Sequence, residues 1–206
     1  MTALVAKIGG SLWRSPLLGE WIAALRAYPG PLTIVPGGGP FADAVREAQG
    51  PMGFSDAAAH EMALLAMEQY GLALAGRFAG LALAATPAEA ETLRAKGATP
   101  VWRPREMALA SDIAASWDVT SDSLAAWYAH ASGARRLLLV KSVDLGAAAQ
   151  APDLVDPFFP AYAEGLEVWI AGPGCSTDAA NILARGEVPG AAWRPAHTSL
   201  TQSLGM

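Results

Sequence analysis

Two lysines of this sequence stand where apolar strands are predicted to end, and that placement could support chemistry on a phosphate. Lys7 lies near the end of the apolar run 3–8, and Lys141 closes the run 137–141. An ammonium group there is costly unless it meets an anion or water. The chain has only three lysines, and the third, Lys96, ends a predicted helix. Lys7 and Lys141 are therefore candidates for neutralising a ligand anion, the alternative being lysines that extend to solvent from tight turns.

Glycine-rich loops follow the first two predicted strands. These loops are Gly9-Gly10-Ser11 and Gly37-Gly38-Gly39. Glycine has no side chain to keep a ligand away from the backbone N–H groups. Ser11 can also cap a following helix, whose N-terminus favours negative charge. Because ligands of parallel sheets bind beyond the carboxyl ends of the strands, two such loops would suit two phosphate groups that must meet. A tight turn explains the first loop about as well. Three successive glycines are more than a mere connection usually needs, but one such loop alone is weak evidence.

A third junction opens a predicted helix at residues 121–131. Thr120 or Ser121 can serve as its N-cap, which places Asp122 in the first turn, where the helix dipole favours a carboxylate. One interpretation is a well-capped helix and nothing more. The other is that Asp122 orients a lysine and a phosphoryl group during transfer.

Two further junctions follow the later strands. Asp144 comes shortly after Lys141, in the loop that leaves the strand at 137–141. Gly172 and Gly174 follow the predicted strand at 167–171. This last loop could form the rim of a nucleotide site, or it could be a plain turn.

Strand-length apolar runs alternate with helix-patterned stretches along the chain. The predicted strands are 3–8, 32–36, 81–84, 99–102, 137–141 and 167–171. The predicted helices are 16–28, 40–49, 56–74, 87–96, 121–131 and 178–185. Nearly continuous apolar strands are typical of a sheet buried on both faces. The alternation predicts an α/β fold, a three-layer α/β/α sandwich with a mostly parallel central sheet, in one domain of two lobes, about 1–133 and 134–206.

Composition excludes several classes of protein. Of 206 residues, 52% are hydrophobic and 16% are charged, the opposite of a disordered chain. The net charge of -5 disfavours a general nucleic-acid binder. Cys175 is the single cysteine, which excludes an internal disulfide framework. No apolar run has the length of a membrane span and no signal-peptide pattern is present, so we expect a cytoplasmic protein without a membrane partner.

Common catalytic motifs are missing from the sequence. It has no Gly-Lys dipeptide and therefore no Walker A loop, and no dinucleotide fingerprint follows the first strand. A nucleophile elbow is also missing, and His60-Glu61 lacks the second histidine of a zincin motif. The lysine and glycine junctions are thus the main candidates for chemistry.

Taken in order, these junctions resemble the amino acid kinase superfamily. The motifs are Lys-Ile-Gly-Gly-Ser from Lys7, Pro-Gly-Gly-Gly from Pro36, Val-Thr-Ser-Asp-Ser from Val119 and Lys-Ser-Val-Asp-Leu-Gly from Lys141. The resemblance implies an amino acid kinase-like fold. It also implies phosphoryl transfer from ATP, with Mg²⁺, to a small-molecule oxyanion, and a homo-oligomer. Mg²⁺ would be held mostly by the ATP phosphates, with Asp122 as a candidate ligand.

The resemblance also divides the candidate site into three groups. The catalytic residues would be Lys7, Asp122 and Lys141. The nucleotide-binding residues, in the lobe 134–206 and the loops before it, would be Gly9, Gly10, Ser11, Thr120, Ser121, Asp144, Gly172 and Gly174. The acceptor-binding residues, in the lobe 1–133, would be Gly37, Gly38, Gly39, Asp56, His60 and Glu61. The last three lie on the helix from 56, where they could meet a substrate ammonium group or simply face solvent.

Within the superfamily, the chain is similar to the small kinases of methanofuran biosynthesis. The short length, the segment 116–123 and the helix from Ser55 to Gly71 carry this likeness. It implies transfer to aminomethylfuran methyl phosphate, giving its diphosphate. A nucleoside monophosphate kinase, an isopentenyl phosphate kinase or a nucleotide-binding sensor or storage protein without turnover would share the motifs. Some members carry a later lysine. Here none follows Lys141, so Lys141 itself or an arginine such as Arg185 must supply that charge.

Overall fold

The computed structural model describes residues 1–144 and 154–194. The strands in these ranges are β1 Leu4–Ile8, β2 Leu32–Pro36, β3 Leu81–Ala84, β4 Thr99–Trp102, β5 Arg136–Val140, β6 Glu167–Ala171 and β7 Ala191–Ala192. The α-helices are α1 Leu18–Arg26, α2 Gly39–Met52, α3 Asp56–Arg77, α4 Pro87–Ala95, α5 Arg105–Leu109, α6 Ser121–Ala131, α7 Phe159–Tyr162 and α8 Ser176–Ala184. Two short 3₁₀ turns, Gly10–Arg14 and Pro173–Cys175, follow β1 and β6.

The strands form one sheet in the order β3-β4-β2-β1-β5-β6-β7. All neighbours are parallel except β7, which pairs antiparallel with β6 at the edge. The mostly parallel α/β/α prediction is confirmed. β1 lies in the centre, between β2 and β5, so the loops that follow these three strands emerge side by side at the carboxyl edge. The sheet runs across both predicted lobes, and the division into lobes stays a prediction.

Successive side chains of β1 point to opposite faces of the sheet, and this alternation determines which helices each side chain packs against. Leu4, Ala6 and Ile8 pack in the core shared with α1 and α8. Val5 packs in the opposite core, shared with α6. Since neighbouring side chains on a strand point to opposite faces, Lys7 lies on the same face as Val5 and therefore under α6. This pattern brings the lysine to the helix that carries Asp122.

Most predicted elements match the structure, and the differences lie at their ends. The strand predicted at 137–141 is Arg136–Val140, so Lys141 stands just beyond the strand. The expectation that Ser11 caps a helix is wrong. Ser11 lies inside the 3₁₀ turn Gly10–Arg14, and α1 begins later, at Leu18. Helices α5 and α7 and strand β7 were not predicted because they are short, four or five residues for the helices and two for the strand.

Among the described residues, no helix combines the length and the apolar character that crossing a bilayer requires.

Candidate active site

A buried lysine–aspartate cluster lies at the carboxyl edge of the central strands. It consists of Lys7 on β1, Lys141 just after β5 and Asp122 in the first turn of α6. The Lys7 Nζ lies 2.9 Å from Asp122 Oδ1, and the Lys141 Nζ lies 2.5 Å from Asp122 Oδ2. Asp122 is only 4% exposed and Lys7 5%. Two ammonium groups thus share one carboxylate, so the three side chains carry a net positive charge at the ligand edge.

The pKa values of the cluster follow from burial and charge. Burial alone would raise the pKa of the Asp122 carboxyl, but the attraction and hydrogen bonds of Lys7 and Lys141 outweigh it, so the pKa lies below its ordinary value. Burial lowers the pKa of the Lys141 ammonium, and repulsion from Lys7 lowers it further. The carboxylates of Asp122 and Asp156 oppose this shift only in part. Asp122 is therefore ionised at neutral pH, and Lys141 is a lysine of weakened basicity.

The start of α6 is fixed by two acceptors. Thr120 is the N-cap, and its Oγ1 accepts a hydrogen bond from the Asp122 N–H at 3.3 Å. Asp156, from the segment before α7, is buried and accepts hydrogen bonds from Thr120 and Ser123. This role of Asp156 is not predictable from the sequence, since nothing near Asp156 in the chain indicates that it packs against a helix that begins 35 residues earlier.

The two glycine loops pack against each other, backbone to backbone. A Cβ on Gly10 would lie 2.5 Å from the Gly39 nitrogen, and one on Gly37 would lie 2.4 Å from the Gly10 nitrogen. Gly39 has a φ of +57°, which favours glycine. The N–H groups of Gly9 and Gly37 do not point to a ligand. They extend the sheet by donating to Val140 and Ile8 carbonyls, both at 2.9 Å. The loops meet as the sequence predicts, but the amides available to an anion are fewer than expected.

Three loops are joined on the side of β5 and β6. The Ser11 hydroxyl donates to the Ser142 hydroxyl at 2.7 Å, linking the loops that follow β1 and β5. Asp144 Oδ1 accepts the Gly174 N–H at 2.7 Å, which joins the β5 loop to the β6 loop. A Cβ on Gly172 would lie 2.4 Å from the Val143 oxygen, so this close approach requires glycine. The carboxylate of Asp144 thus holds the shape of the rim.

A cavity of about 250 Å³ opens next to the cluster, between α2, α3 and the loop before α6. We call it the α2–α3 cavity. Its polar lining includes predicted site residues from both the nucleotide and the acceptor groups, Gly10, Ser11, Gly38, Gly39, Asp56, His60, Thr120 and Ser121. Its apolar lining includes Ala42, Ala59, Ala63, Leu64, Met67, Val119 and Leu124. The surface that the cavity exposes is largely apolar, although glycine loops, hydroxyl groups and charged side chains also line it.

A polar relay closes the outer side of the α2–α3 cavity. The Trp117 indole N–H donates to Gln49 Oε1 at 2.6 Å, and Gln49 Nε2 donates to Asp56 Oδ1 at 2.8 Å. The Arg46 guanidinium lies 4.5 Å from the centre of the Trp117 ring. The relay joins the loop before α6 to α2 and α3 and fixes one oxygen of Asp56. The sequence indicates Trp117 only as part of the segment 116–123 and gives no sign of Gln49, because a glutamine in a helix carries no signal of its own.

The remaining predicted residues lie in different places. His60 lines the α2–α3 cavity, and burial lowers its pKa, so the imidazole is neutral at pH 7. Glu61 is bound by the Arg105 guanidinium on α5 and is not among the residues that line the cavity. Arg185, the candidate replacement for a later lysine, pairs with Glu187 at 3.5 Å and caps the far end of α8. Of the two candidates for supplying the charge of a later lysine, only Lys141 lies in the lysine–aspartate cluster.

The donor set does not suit a metal ion held by protein side chains. Within residues 1–144 and 154–194, no three His, Cys, Asp or Glu side chains come together as a metal site. Both oxygens of Asp122, the candidate ligand, face lysine ammonium groups. A Mg²⁺ ion brought by a nucleotide would therefore have to rely on the phosphate oxygens of that nucleotide.

Comparison with known proteins agrees with this architecture. The family model described as the Amino acid kinase family matches residues 2–145. A curated protein, (5-(aminomethyl)furan-3-yl)methyl phosphate kinase from Methanocaldococcus jannaschii, is 29% identical over 143 residues. The match covers 68% of this chain and spans 66% of the length of that protein.

Solved structures share the fold. Uridylate kinase from Archaeoglobus fulgidus superposes with a TM-score of 0.66 at 16% identity, covering 93% of this chain and 99% of that one. UMP kinase from Ureaplasma parvum gives a TM-score of 0.65 at 14% identity, with 92% and 97% covered. UMP kinase from Bacillus anthracis gives 0.66 at 13% identity, with 92% and 94% covered. At these identities the likeness concerns the fold.

Proposed function

Because the chain belongs to the amino acid kinase family, we propose that it is an ATP-dependent kinase that transfers the γ-phosphoryl group to the phosphate of a small acceptor. The observation that carries this proposal is the lysine–aspartate cluster, in which Lys7 and Lys141 converge on Asp122 at 2.9 and 2.5 Å. Two cations held together beside glycine loops suit a reaction in which two anions must approach each other.

The reaction needs positioning and charge rather than a base. An oxygen of the acceptor phosphate forms a bond to the γ-phosphorus, and the bond from that phosphorus to the β–γ bridging oxygen breaks, releasing ADP. The acceptor phosphate is already ionised at pH 7, so no side chain has to remove a proton. This agrees with a cavity whose one histidine, His60, is half-buried and has a lowered pKa. Lys7 and Lys141 offset the negative charge on the transferring group, and Asp122 holds their spacing.

For the acceptor we propose an aminomethylfuran methyl phosphate, which would give the diphosphate of methanofuran biosynthesis. The relative from Methanocaldococcus jannaschii supports this choice, as does the small size of the α2–α3 cavity, about 250 Å³. Its apolar lining suits a furan ring. Asp56, with one oxygen fixed by Gln49, suits the ammonium group of the side arm. Glu61 is engaged by Arg105, so we do not assign it to the acceptor.

The test is a panel of phosphate acceptors with ATP, scored by ADP release. The panel contains the aminomethylfuran methyl phosphate, UMP, isopentenyl phosphate and a control without acceptor. The proposal expects the aminomethylfuran compound to give the highest kcat/KM, and its analogue without the amine to bind more weakly. ADP release with UMP or isopentenyl phosphate alone would overturn the acceptor but keep the kinase. ATP binding with no acceptor-dependent ADP release would overturn the kinase and favour a nucleotide sensor.

The predicted homo-oligomer, the cytoplasmic location and the use of Mg²⁺ belong to this proposal. Size measurement in solution and assays with and without Mg²⁺ test the first and the last.

A further inference from the structure

The buried carboxylate of Asp156 lies outside every group of site residues that the sequence singled out. We propose that Asp156 is a positioning residue: by binding the first turn of α6 it sets the place of Asp122, and it adds a buried negative charge next to the turn that carries Asp122. The inference rests on the proposed phosphoryl transfer, because the cluster it positions is the one assigned to that reaction.

The first step of the argument is the number of hydrogen bonds that Asp156 accepts. Oδ2 receives the Thr120 N–H at 3.0 Å, the Thr120 hydroxyl at 2.8 Å and the Ser123 N–H at 3.1 Å. Oδ1 receives the Ser123 hydroxyl at 2.5 Å. Asp156 is 7% exposed, so few of these interactions compete with water. Four donors on one buried carboxylate define the place of the helix start far more tightly than a single cap.

The second step is where those donors lie. Thr120 and Ser123 bracket Asp122, which is the second residue of α6. The backbone on each side of Asp122 is therefore bound to Asp156, while the Asp122 side chain points to the lysines. A shift of the first turn would move the carboxylate away from one ammonium group or the other, and a misplacement near 1 Å can cost about 10²-fold in rate.

The third step is charge. Lys7 and Lys141 bring two positive charges, and Asp122 brings one negative charge. Asp156 is the second carboxylate that attracts the Lys141 ammonium, although more weakly than Asp122 does. The charges that act on the Lys141 ammonium are thus those of Lys7 on β1, Asp122 on α6 and Asp156 in the segment before α7. Counted together, these four side chains are neutral, whereas without Asp156 one positive charge would be left unbalanced.

The test compares Asp156→Asn with two other variants. An amide directs N–H groups at donors, so Asp156→Asn loses hydrogen bonds together with the charge. Ser123→Ala removes one bond and keeps the charge. Thr86→Ala removes the N-cap of α4, a helix that packs on β3 and β4, and serves as a control for loss of stability alone. Each variant is assayed well below its unfolding temperature for kcat, for both KM values and for the pH dependence of kcat.

We expect Asp156→Asn to lower kcat by roughly 10–100-fold with little change in either KM. In this variant the alkaline fall of kcat should occur at lower pH, since the Lys141 ammonium loses the attraction of a negative charge. Ser123→Ala should lower kcat by a few fold without shifting the alkaline fall, and Thr86→Ala should keep kcat. A wild-type kcat and pH profile in Asp156→Asn would overturn the proposal, as would an equal loss of kcat in Thr86→Ala. Should Asp156→Asn fail to fold, an unchanged kcat in Ser123→Ala overturns the proposal.

A second readout does not need turnover. With only three lysines in the chain, ¹³Cε-labelled lysine NMR can follow the titration of Lys141 separately from Lys7 and Lys96. Asp156→Asn should lower the titration midpoint of Lys141, and Ser123→Ala should leave it in place. An unmoved midpoint in Asp156→Asn would overturn the proposal even for a protein that phosphorylates nothing. Failure of the kinase assay in the wild type would instead count against the proposed function.

Discussion

The lysine–aspartate cluster and the α2–α3 cavity meet at one edge of the sheet, but they are constructed differently. The cluster is charged, and its side chains come from a central strand, a strand end and a capped helix start, positions that the backbone fixes. The apolar part of the cavity lining comes mainly from alanine, leucine and methionine side chains on helices, and hydrogen bonds between side chains link the elements around it. In the proposed function, the cluster serves the transfer of the phosphoryl group, and the cavity serves the choice of acceptor.

Removing the positive charge of Lys7 should distinguish the role of the lysine–aspartate cluster from that of the α2–α3 cavity most clearly. Lys7→Ala should lower kcat by roughly 10²–10³-fold, because a preorganised charge on the transferring group is lost. The acceptor KM should change little, since the cavity is left intact. Steady-state kinetics with saturating ATP check this result.

The matched control is Lys96→Ala, since Lys96 caps the end of α4 and is exposed. We expect it to keep the wild-type rate. Equal rates for Lys7→Ala and Lys96→Ala would remove Lys7 from the reaction.

The contact between the glycine loops should be the next most sensitive point. Gly10→Ala places a Cβ 2.5 Å from the Gly39 nitrogen, so the loops must move apart, and overpacking of this kind costs about 1–3 kcal/mol. Both the free energy of unfolding and kcat should fall. Gly50→Ala, in α2 with no atom within 4 Å of the new Cβ, should keep or raise stability. Denaturant unfolding measures the free energy of unfolding of both variants. Similar values for Gly10→Ala and Gly50→Ala would contradict the close packing of the loops.

The hydrogen bonds that join Trp117, Gln49 and Asp56 should affect the binding of the acceptor but not the rate of the transfer step. Gln49→Ala breaks the hydrogen bonds to Trp117 and Asp56, and the loss of about 1 kcal/mol corresponds to roughly a fivefold rise in acceptor KM. The kcat and the KM for ATP should stay near their wild-type values. Gln69→Ala, on the exposed face of α3, is the control. A larger effect on kcat than on KM would place Gln49 with the cluster instead.

The smallest expected effect is on the pH dependence. Lys141 must be protonated to offset charge, and its pKa is lowered from 10.5, so kcat should fall on the alkaline side before an ordinary lysine would titrate. The pKa of Asp122 is lowered from 3.8, so its contribution to stability is present above that value and is lost only as the pH falls through the lower folded-state pKa. A rate profile and unfolding curves across pH check both signs. The acceptor phosphate itself takes up a proton at about pH 6, so an acidic limb of kcat there belongs to the substrate. An acidic limb well above that pH would contradict the absence of a required base.

The sequence predicted the cluster better than the cavity, for physical reasons. A lysine at a buried strand end is costly, so Lys7 and Lys141 signal a ligand edge, and Asp122 follows a recognisable cap. The parallel sheet then brings all three together. The relay of Trp117, Gln49 and Asp56 depends on how a loop crosses two helices, which no local pattern encodes. The capping by Asp156 depends on a contact between distant segments and was missed for the same reason.

The measurement that tests the central claim most directly is ³¹P NMR of the protein with ATP, Mg²⁺ and the aminomethylfuran methyl phosphate. If two lysines joined by Asp122 transfer a phosphoryl group to a phosphate, the ATP signals should give way to ADP and to two new, mutually coupled resonances of an acceptor diphosphate. Lys7→Ala should leave both substrates almost unchanged over the same time. Only inorganic phosphate beside ADP, or the same diphosphate formed at the wild-type rate by Lys7→Ala, would contradict the account.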